Sequence, residues 1–272
     1  MISFPNAKIN LGLNVLSKRE DGYHNLSTCF YPIEWSDILE ITPSESFEIQ
    51  LSGLPIYGKI QENLCVKAYH LLKKDFDIPL VKIHLHKLLP MGAGIGGGSA
   101  DGSFTLKLLN QMFSLNLSDE QLEKYALLLG SDCPFFIQNK PVLAEGRGEI
   151  FKPISLNLNG KYIILVFPNF SVSTKEAFSG IKPRVPQKSI GEVLNQSIDT
   201  WKNDLYNDFE KSIFPRYPQL SKIKDFFYEK DAIYASMSGS GSTMYGIFDQ
   251  ETELDIESFF AKDFVVWKGF LK

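Results

Sequence analysis

The sequence predicts an α+β protein of two domains, and three observations carry that assignment. Two stretches alternate at the period of a strand with one polar face: Ile9, Leu11, Leu13 and Val15 against Lys8, Asn10 and Gly12, then Val81, Ile83 and Leu85 against Lys82, His84 and His86. Strands of a doubly wound parallel sheet would instead be apolar on both faces. Helical patterns with their own end signals lie between the strands, and a fresh succession of elements begins after about residue 155. The expected domains are therefore 1–154 and 155–272, each long enough to bury a core.

Taken in order, the strand around 9–15 is followed by strands within Phe30–Ile41 and Phe47–Leu51. Residues 62–76 read as a helix with Leu64, Ala68, Leu71 and Leu72 inward. The strand at 81–89 leads into "PMGAGIGGGSADG", and a helix starts near Ser99. Residues 118–130 form a second helix, opened by a Ser118–Gln121 capping box and stopped by Gly130. Residues 141–154 read as strand, turn, strand. The second half predicts a strand at 161–167, helices around 174–181, 189–197 and 203–229, a strand pair bracketing "SMSGSGSTMYG", and a last helix and strand.

Bulk properties narrow the function. A net charge of -4 and a pI near 5.7 argue against a nucleic-acid or anionic-membrane binder, which shows a basic stripe. Cys29, Cys65 and Cys133 have neither disulfide-framework nor zinc-site spacing. With no apolar run long enough to span a bilayer and no secretory signal pattern, a cytoplasmic protein is expected.

The glycine run is the strongest chemical signal. Consecutive glycines allow positive φ and close backbone approach, and amides at a helix start favour an anion. A strand, then glycines, then a helix points to phosphate binding. The P-loop pattern is absent. Gly92, Gly94 and Gly97 satisfy GxGxxG, but the half-polar strand before them speaks against a dinucleotide fold. Asp132, just past a helix stop, is either a turn residue or a base that activates a hydroxyl; with Lys8 beside the glycines it would make a phosphoryl-transfer site. Tyr23 and His24 in "DGYHNL" suit a flat heterocycle or simple loop packing; Thr174 and Phe178 lie one helical turn apart on one face, and Phe178 by itself reads as core. The late glycine–serine loop is either a flexible hairpin or a second phosphate-facing loop. His70, His84 and His86 read as structural or surface groups, and no protein metal ligand is assigned.

"PNAKINLGL", "PMGAGIGGGSADG" and "SMSGSGSTMYG", in that order, resemble the three blocks of the GHMP kinase superfamily. "DGYHNL", the triple glycine and "GSDCPFF" are most similar to the branch that phosphorylates the cytidyl diphosphate of methylerythritol. The resemblance implies an N-terminal domain like ribosomal protein S5 domain 2 and a ferredoxin-like C-terminal domain. It also implies ATP with Mg2+ and transfer to the 2-hydroxyl of that small-molecule substrate, with the protein a monomer or homodimer. By the same resemblance Asp132 is the base and Lys8 polarises the hydroxyl. Pro90, Met91, Gly92, Ala93, Gly94, Ile95, Gly96, Gly97, Gly98, Ser99 and Ala100 hold the ATP phosphates; Asn63, Leu64 and Lys87 hold its adenosine. His24 reads the cytosine edge between Tyr23 and Phe178, while Asn10 and Thr174 touch the substrate. Gly97 and Gly98 stand where the wider superfamily has serines, one of them a magnesium contact. The alternatives are a mevalonate- or homoserine-type kinase, a dinucleotide-dependent oxidoreductase, or a nucleotide-binding module without catalysis.

Overall fold

A computed structural model describes residues 1–260 and 263–272. Its strands are β1 (Ile2–Ser3), β2 (Asn6–Lys18), β3 (His24–Ser36), β4 (Ile38–Pro43), β5 (Glu48–Gly53), β6 (Val81–Lys87), β7 (Val142–Gly146), β8 (Ile150–Pro153), β9 (Tyr162–Phe167), β10 (Tyr234–Met237), β11 (Met244–Phe248) and β12 (Val265–Phe270). The helices are α1 (Leu64–Asp75), α2 (Gly97–Met112), α3 (Asp119–Leu129), α4 (Phe135–Gln138), α5 (Thr174–Phe178), α6 (Ile190–Leu194), α7 (Trp201–Asp204), α8 (Glu210–Ile213), α9 (Pro218–Glu229) and α10 (Ile256–Phe259). The mixture is α+β, as the strand patterns imply.

Compactness gathers the chain into two units, each assembled from several segments rather than from a single cut at residue 154. One comprises Met1–Lys8, Trp35–Met91 and Gly96–Lys140; the other Ile9–Glu34, Gly92–Ile95 and Pro141–Lys272.

In the first unit a sheet of order β1-β4-β6-β5 carries β6 antiparallel to β4 and parallel to β5. Its alternation is real: Val81, Ile83 and Leu85 are buried, while Lys82, His84 and His86 are half-buried on the other face. The apolar face joins Ala68, Tyr69 and Leu72 of α1, Leu106 and Leu109 of α2, and Leu122 and Ala126 of α3 in one core. The expected capping box opens α3, and Gly130 ends it. Leu64 and Leu71 are only half-buried, and Cys65, Val66 and Tyr69 complete the inner face of α1.

The second unit contains a sheet of order β10-β11-β9-β12 and most of one of order β2-β3-β7-β8. Ile164 and Val166 of β9 and Met244 and Phe248 of β11 pack with Leu220, Ile223, Phe226 and Phe227 of α9. The continuous helix expected over 203–229 is instead three pieces, α7, α8 and α9. Asn207 forms a bridge with Leu13 of β2, and Pro215 and Pro218 interrupt helical hydrogen bonding, Pro218 serving as a helix start. β2 is buried on both faces from Asn6 to Val15, so Lys8, Asn10 and Asn14 do not belong to a solvated face.

Candidate active site

In the first unit β2 delivers Lys8, which is 3% exposed. The stop of α3 at Gly130 delivers Asp132 through a tight turn in which the Cys133 amide donates to the Gly130 carbonyl. Ser103 of α2 donates to the Cys133 carbonyl at 2.7 Å and ties that turn to α2. Lys8 Nζ then lies 3.6 Å from Asp132 Oδ2, whose side chain is 38% exposed. Burial pulls the Lys8 ammonium below the ordinary lysine value, and Asp132, by charge and hydrogen bond, opposes that fall. Expected partners far apart in the chain therefore meet.

The start of α2 lies against the same lysine. Gly96, its N-cap, has φ of 73°, and a Cβ there would sit 2.8 Å from the Phe136 ring and 3.2 Å from Lys8 Cγ. A Cβ on Gly97 would press on Leu89 and the Lys87 ammonium, whereas one on Gly98 would meet nothing within 4 Å. No side chain caps the first amides of α2, although Asn63 and Ser118 cap α1 and α3. An uncapped sixteen-residue helix with an open Gly98 fits an anion such as a nucleotide phosphate. Ala93, Ile95 and Ala100 bury their side chains, so the run offers a ligand backbone there. Asn63 caps α1 through Cys65, and Leu64 packs over Gly102, where a Cβ would approach Leu64 to 2.9 Å. Gly102 thus lets α1 and α2 close on each other. The expectation for Lys87 needs correction: its ammonium is buried between Asp37 at 2.5 Å and Asp101 at 2.6 Å, so it does not reach toward an adenosine.

In the second unit the late loop is a buried brace, not a flexible hairpin. The Thr243 amide donates to the Ala93 carbonyl at 3.1 Å, and the Ser238 hydroxyl donates to the Gly94 carbonyl at 2.9 Å. A Cβ at Gly94, with φ of 78°, would fall 2.2 Å from the Ser238 carbonyl oxygen. Several glycines of the run are thus required by close protein neighbours, and Gly98 is the one that faces open space. The Asn10 amide donates to Ser238 Oγ, and its side chain donates to Thr28 Oγ1. Thr28 in turn donates to the Gly12 carbonyl.

Phe167 ends β9 before α5, which opens with exposed Thr174 and carries Phe178 a turn later. His24 stacks on Phe178, centroids 4.6 Å apart at 16°, and Phe209 meets the Phe178 ring edge-on. His24 therefore covers one face of Phe178, the ring expected to stack on a cytosine. Burial, with a smaller push from Lys18, lowers the His24 pKa and favours neutral imidazole, which can both donate and accept. Tyr23 is 56% exposed, and the Arg147 guanidinium lies 5.0 Å over its ring.

Residues 63–140 match the model of the GHMP kinases N terminal domain, and residues 188–265 that of the GHMP kinases C terminal domain. A 4-diphosphocytidyl-2-C-methyl-D-erythritol kinase of Bacteroides fragilis is 54% identical over 267 residues, covering 96% of this chain and 97% of that protein. One from Cytophaga hutchinsonii is 52% identical over 254 residues, covering 93% and 94%. The chain belongs to the 4-diphosphocytidyl-2-C-methyl-D-erythritol kinase family. A crystal structure of 4-(cytidine 5'-diphospho)-2C-methyl-D-erythritol kinase superposes with TM-score 0.83 at 29% identity, over 100% of this chain and 99% of that one. The mevalonate kinase of Methanococcus jannaschii, at TM-score 0.72 and 16% identity over 100% and 98%, shares the fold.

Asp37, Asp101, Arg147, Asn207 and Glu210, not expected from the sequence, also shape these surroundings. Asn207 donates to the Met237 and Gly239 carbonyls, and Glu210 accepts from Ser236 and the Met237 amide; together they hold the late loop. An acidic or amide residue inside a helical pattern carries no local sign of such a long-range bond. Arg147 had a signal, since a cation in the tight turn "EGRGE" is held near the strand ends it joins.

Proposed function

We propose that the protein transfers the γ-phosphoryl group of Mg-ATP to the 2-hydroxyl of 4-diphosphocytidyl-2-C-methyl-D-erythritol. The observation that carries the chemistry is the Lys8–Asp132 pair beside the uncapped start of α2. Asp132 accepts the hydroxyl proton, and the freed oxygen forms the new bond to phosphorus as the bond to the ADP oxygen breaks. Lys8 balances charge on the oxygens around phosphorus. Catalysis here is positioning and electrostatic stabilisation.

The amides from Gly96 to Ser99 take the β- and γ-phosphates, with Ala100 closing the first turn behind them and Asn63 and Leu64 toward the adenosine. Mg2+, a hard cation that keeps waters and phosphate oxygens, supplies charge neutralisation; Gly97 and Gly98 have no side chain to offer it. At the cytidyl end His24 reads the base edge and Tyr23 stacks on its plane, while Asn10 and Thr174 serve the remainder of the substrate. Residues 1–154 and 155–272 are proposed as the two domains, and the two family matches fall one on each side of that boundary. None of the described helices is long and apolar enough to cross a membrane, and the small-molecule substrate accords with a cytoplasmic enzyme.

Phosphorus NMR of the protein with Mg-ATP and the cytidyl-diphosphate sugar alcohol tests the reading. A new phosphomonoester resonance is expected, with none when mevalonate or homoserine replaces that alcohol. Phosphorylation of either of those instead would overturn the substrate assignment.

A further inference from the structure

The buried cluster around Lys87 has no part in the proton and phosphoryl steps, yet its side chains bond the two residues just ahead of the glycine run and the helix behind it. Asp37 is the one residue between β3 and β4. Its Oδ1 accepts the amides of Leu88 at 2.6 Å and Leu89 at 2.8 Å, the two residues that follow β6, and its Oδ2 accepts the Lys87 ammonium. The same ammonium donates to Asp101 Oδ2 on α2. Asp101 is four residues beyond Gly97, hence on the same helix face. Gly97 itself rests on the cluster, since a Cβ there would lie 3.1 Å from Leu89 Cβ and 3.2 Å from Lys87 Nζ.

Three buried ionisable groups are a poor way to gain stability. Apolar residues of similar volume commonly do as well or better, because desolvation offsets the attraction. Here two carboxylates face one ammonium, and Asp101 Oδ1 has no hydrogen-bond partner. What charged groups provide that apolar ones do not is direction. The bonds fix where the chain leaves β6 and where the first turn of α2 points.

We propose that Asp37, Lys87 and Asp101 are positioning residues for the phosphate donor: the triad clamps the exit of β6 to α2 and so aims the amides of Gly97, Gly98 and Ser99. This rests on the reading that those amides hold the ATP phosphates. Its signature is selectivity for one substrate. Loosening the clamp weakens ATP and leaves the alcohol substrate nearly untouched, whereas general loss of structure weakens both.

The test uses the full chain and two readouts, the KM for each substrate and direct titration with a fluorescent ATP analogue. Asp101→Ala is expected to raise the KM for ATP and the analogue's Kd about tenfold, the worth of one charge-assisted bond, with the KM for the alcohol changed less than twofold. Asp101→Asn keeps an oxygen that can accept from Lys87 and is expected to restore both values to within about threefold of the unaltered protein. If the alanine variant does not fold, Asp101→Ser, too short to reach the ammonium, takes its place. Unchanged ATP affinity in a folded Ala or Ser variant overturns the proposal, as does an equal rise in both KM values, or an Asn variant as impaired as Ala. Should the unaltered protein make no phosphomonoester from the cytidyl substrate, the substrate reading falls, and the analogue titration still decides the clamp.

Discussion

Lys8 and Lys87 are both buried lysines set against carboxylates within the same compact unit, and they behave in opposite ways. Lys87 faces two carboxylates at hydrogen-bonding distance, all three groups sealed from water. Burial works against its charge, but Asp101 and Asp37 prevail and hold its proton above the ordinary lysine value. Burial in turn pushes the Asp101 carboxyl up. Lys8 faces one carboxylate at 3.6 Å, and that carboxylate is open to solvent. Burial prevails there, and the Lys8 value falls. Identical residue types thus give a sealed cluster in one place and a looser pair whose carboxylate reaches solvent in the other. The number of carboxylates and their access to water make the difference.

The largest expected effect separates chemistry from structure. Asp132→Ala should lower kcat by about 10²–10⁴, the range for loss of a general base, with the Kd for an ATP analogue within a few-fold of the original. Near-normal turnover would remove Asp132 as the base. Stability should sort the two lysines the other way. Lys87→Met leaves two buried carboxylates unpaired and should cost about 3–5 kcal/mol in urea unfolding. Lys8→Met takes the cation from the half-open Asp132, which solvent reaches, and the unfolding midpoint should hold or rise. The rise follows from sign: a lysine whose folded value is depressed carries its full cost below that value, and the cost shrinks as pH climbs from there to 10.5, above which it is gone. Equal losses from both substitutions would erase the contrast.

The same depression sets a pH dependence. Charge on Lys8 disappears as pH rises through its lowered value, so the alkaline arm of kcat/KM should fall below pH 10.5. A profile flat to that pH would mean the ammonium is not needed. Smaller effects belong to the cytidyl end. His24→Ala should raise the KM for the cytidyl substrate about tenfold, as expected when a base-edge hydrogen bond is lost, and leave that for ATP unchanged; equal rises would deny its role. Smallest is Arg147→Ala. Loss of the cation over Tyr23 should raise the cytidyl KM about two- to fivefold, in line with an exposed cation–π contact.

Much of this was legible in the residues. The capping box of α3 and the stop at Gly130 placed Asp132 in a turn, and alternation along β6 announced a sheet with one polar face. Both signals are local, written in neighbours a few positions apart. The resemblance of three ordered blocks supplied the roles proposed for Lys8, Asp132 and the glycine run. What was not legible came from distance. Nothing near Lys87 in the chain says that Asp37 and Asp101 will enclose its ammonium, and nothing near Phe178 says that His24 will lie on its ring.

The sequence by itself determined where locally patterned elements such as α1, α3 and β6 lie, and that a helix start would follow the glycines, but not the breaks within 203–229. Tertiary structure decided which lysine lies beside a carboxylate that solvent reaches, which glycines make room for protein and which face open space, and which rings stack on one another. Periodicity and capping depend on residues a turn or less apart, whereas desolvation and charge pairing depend on groups that only folding brings together.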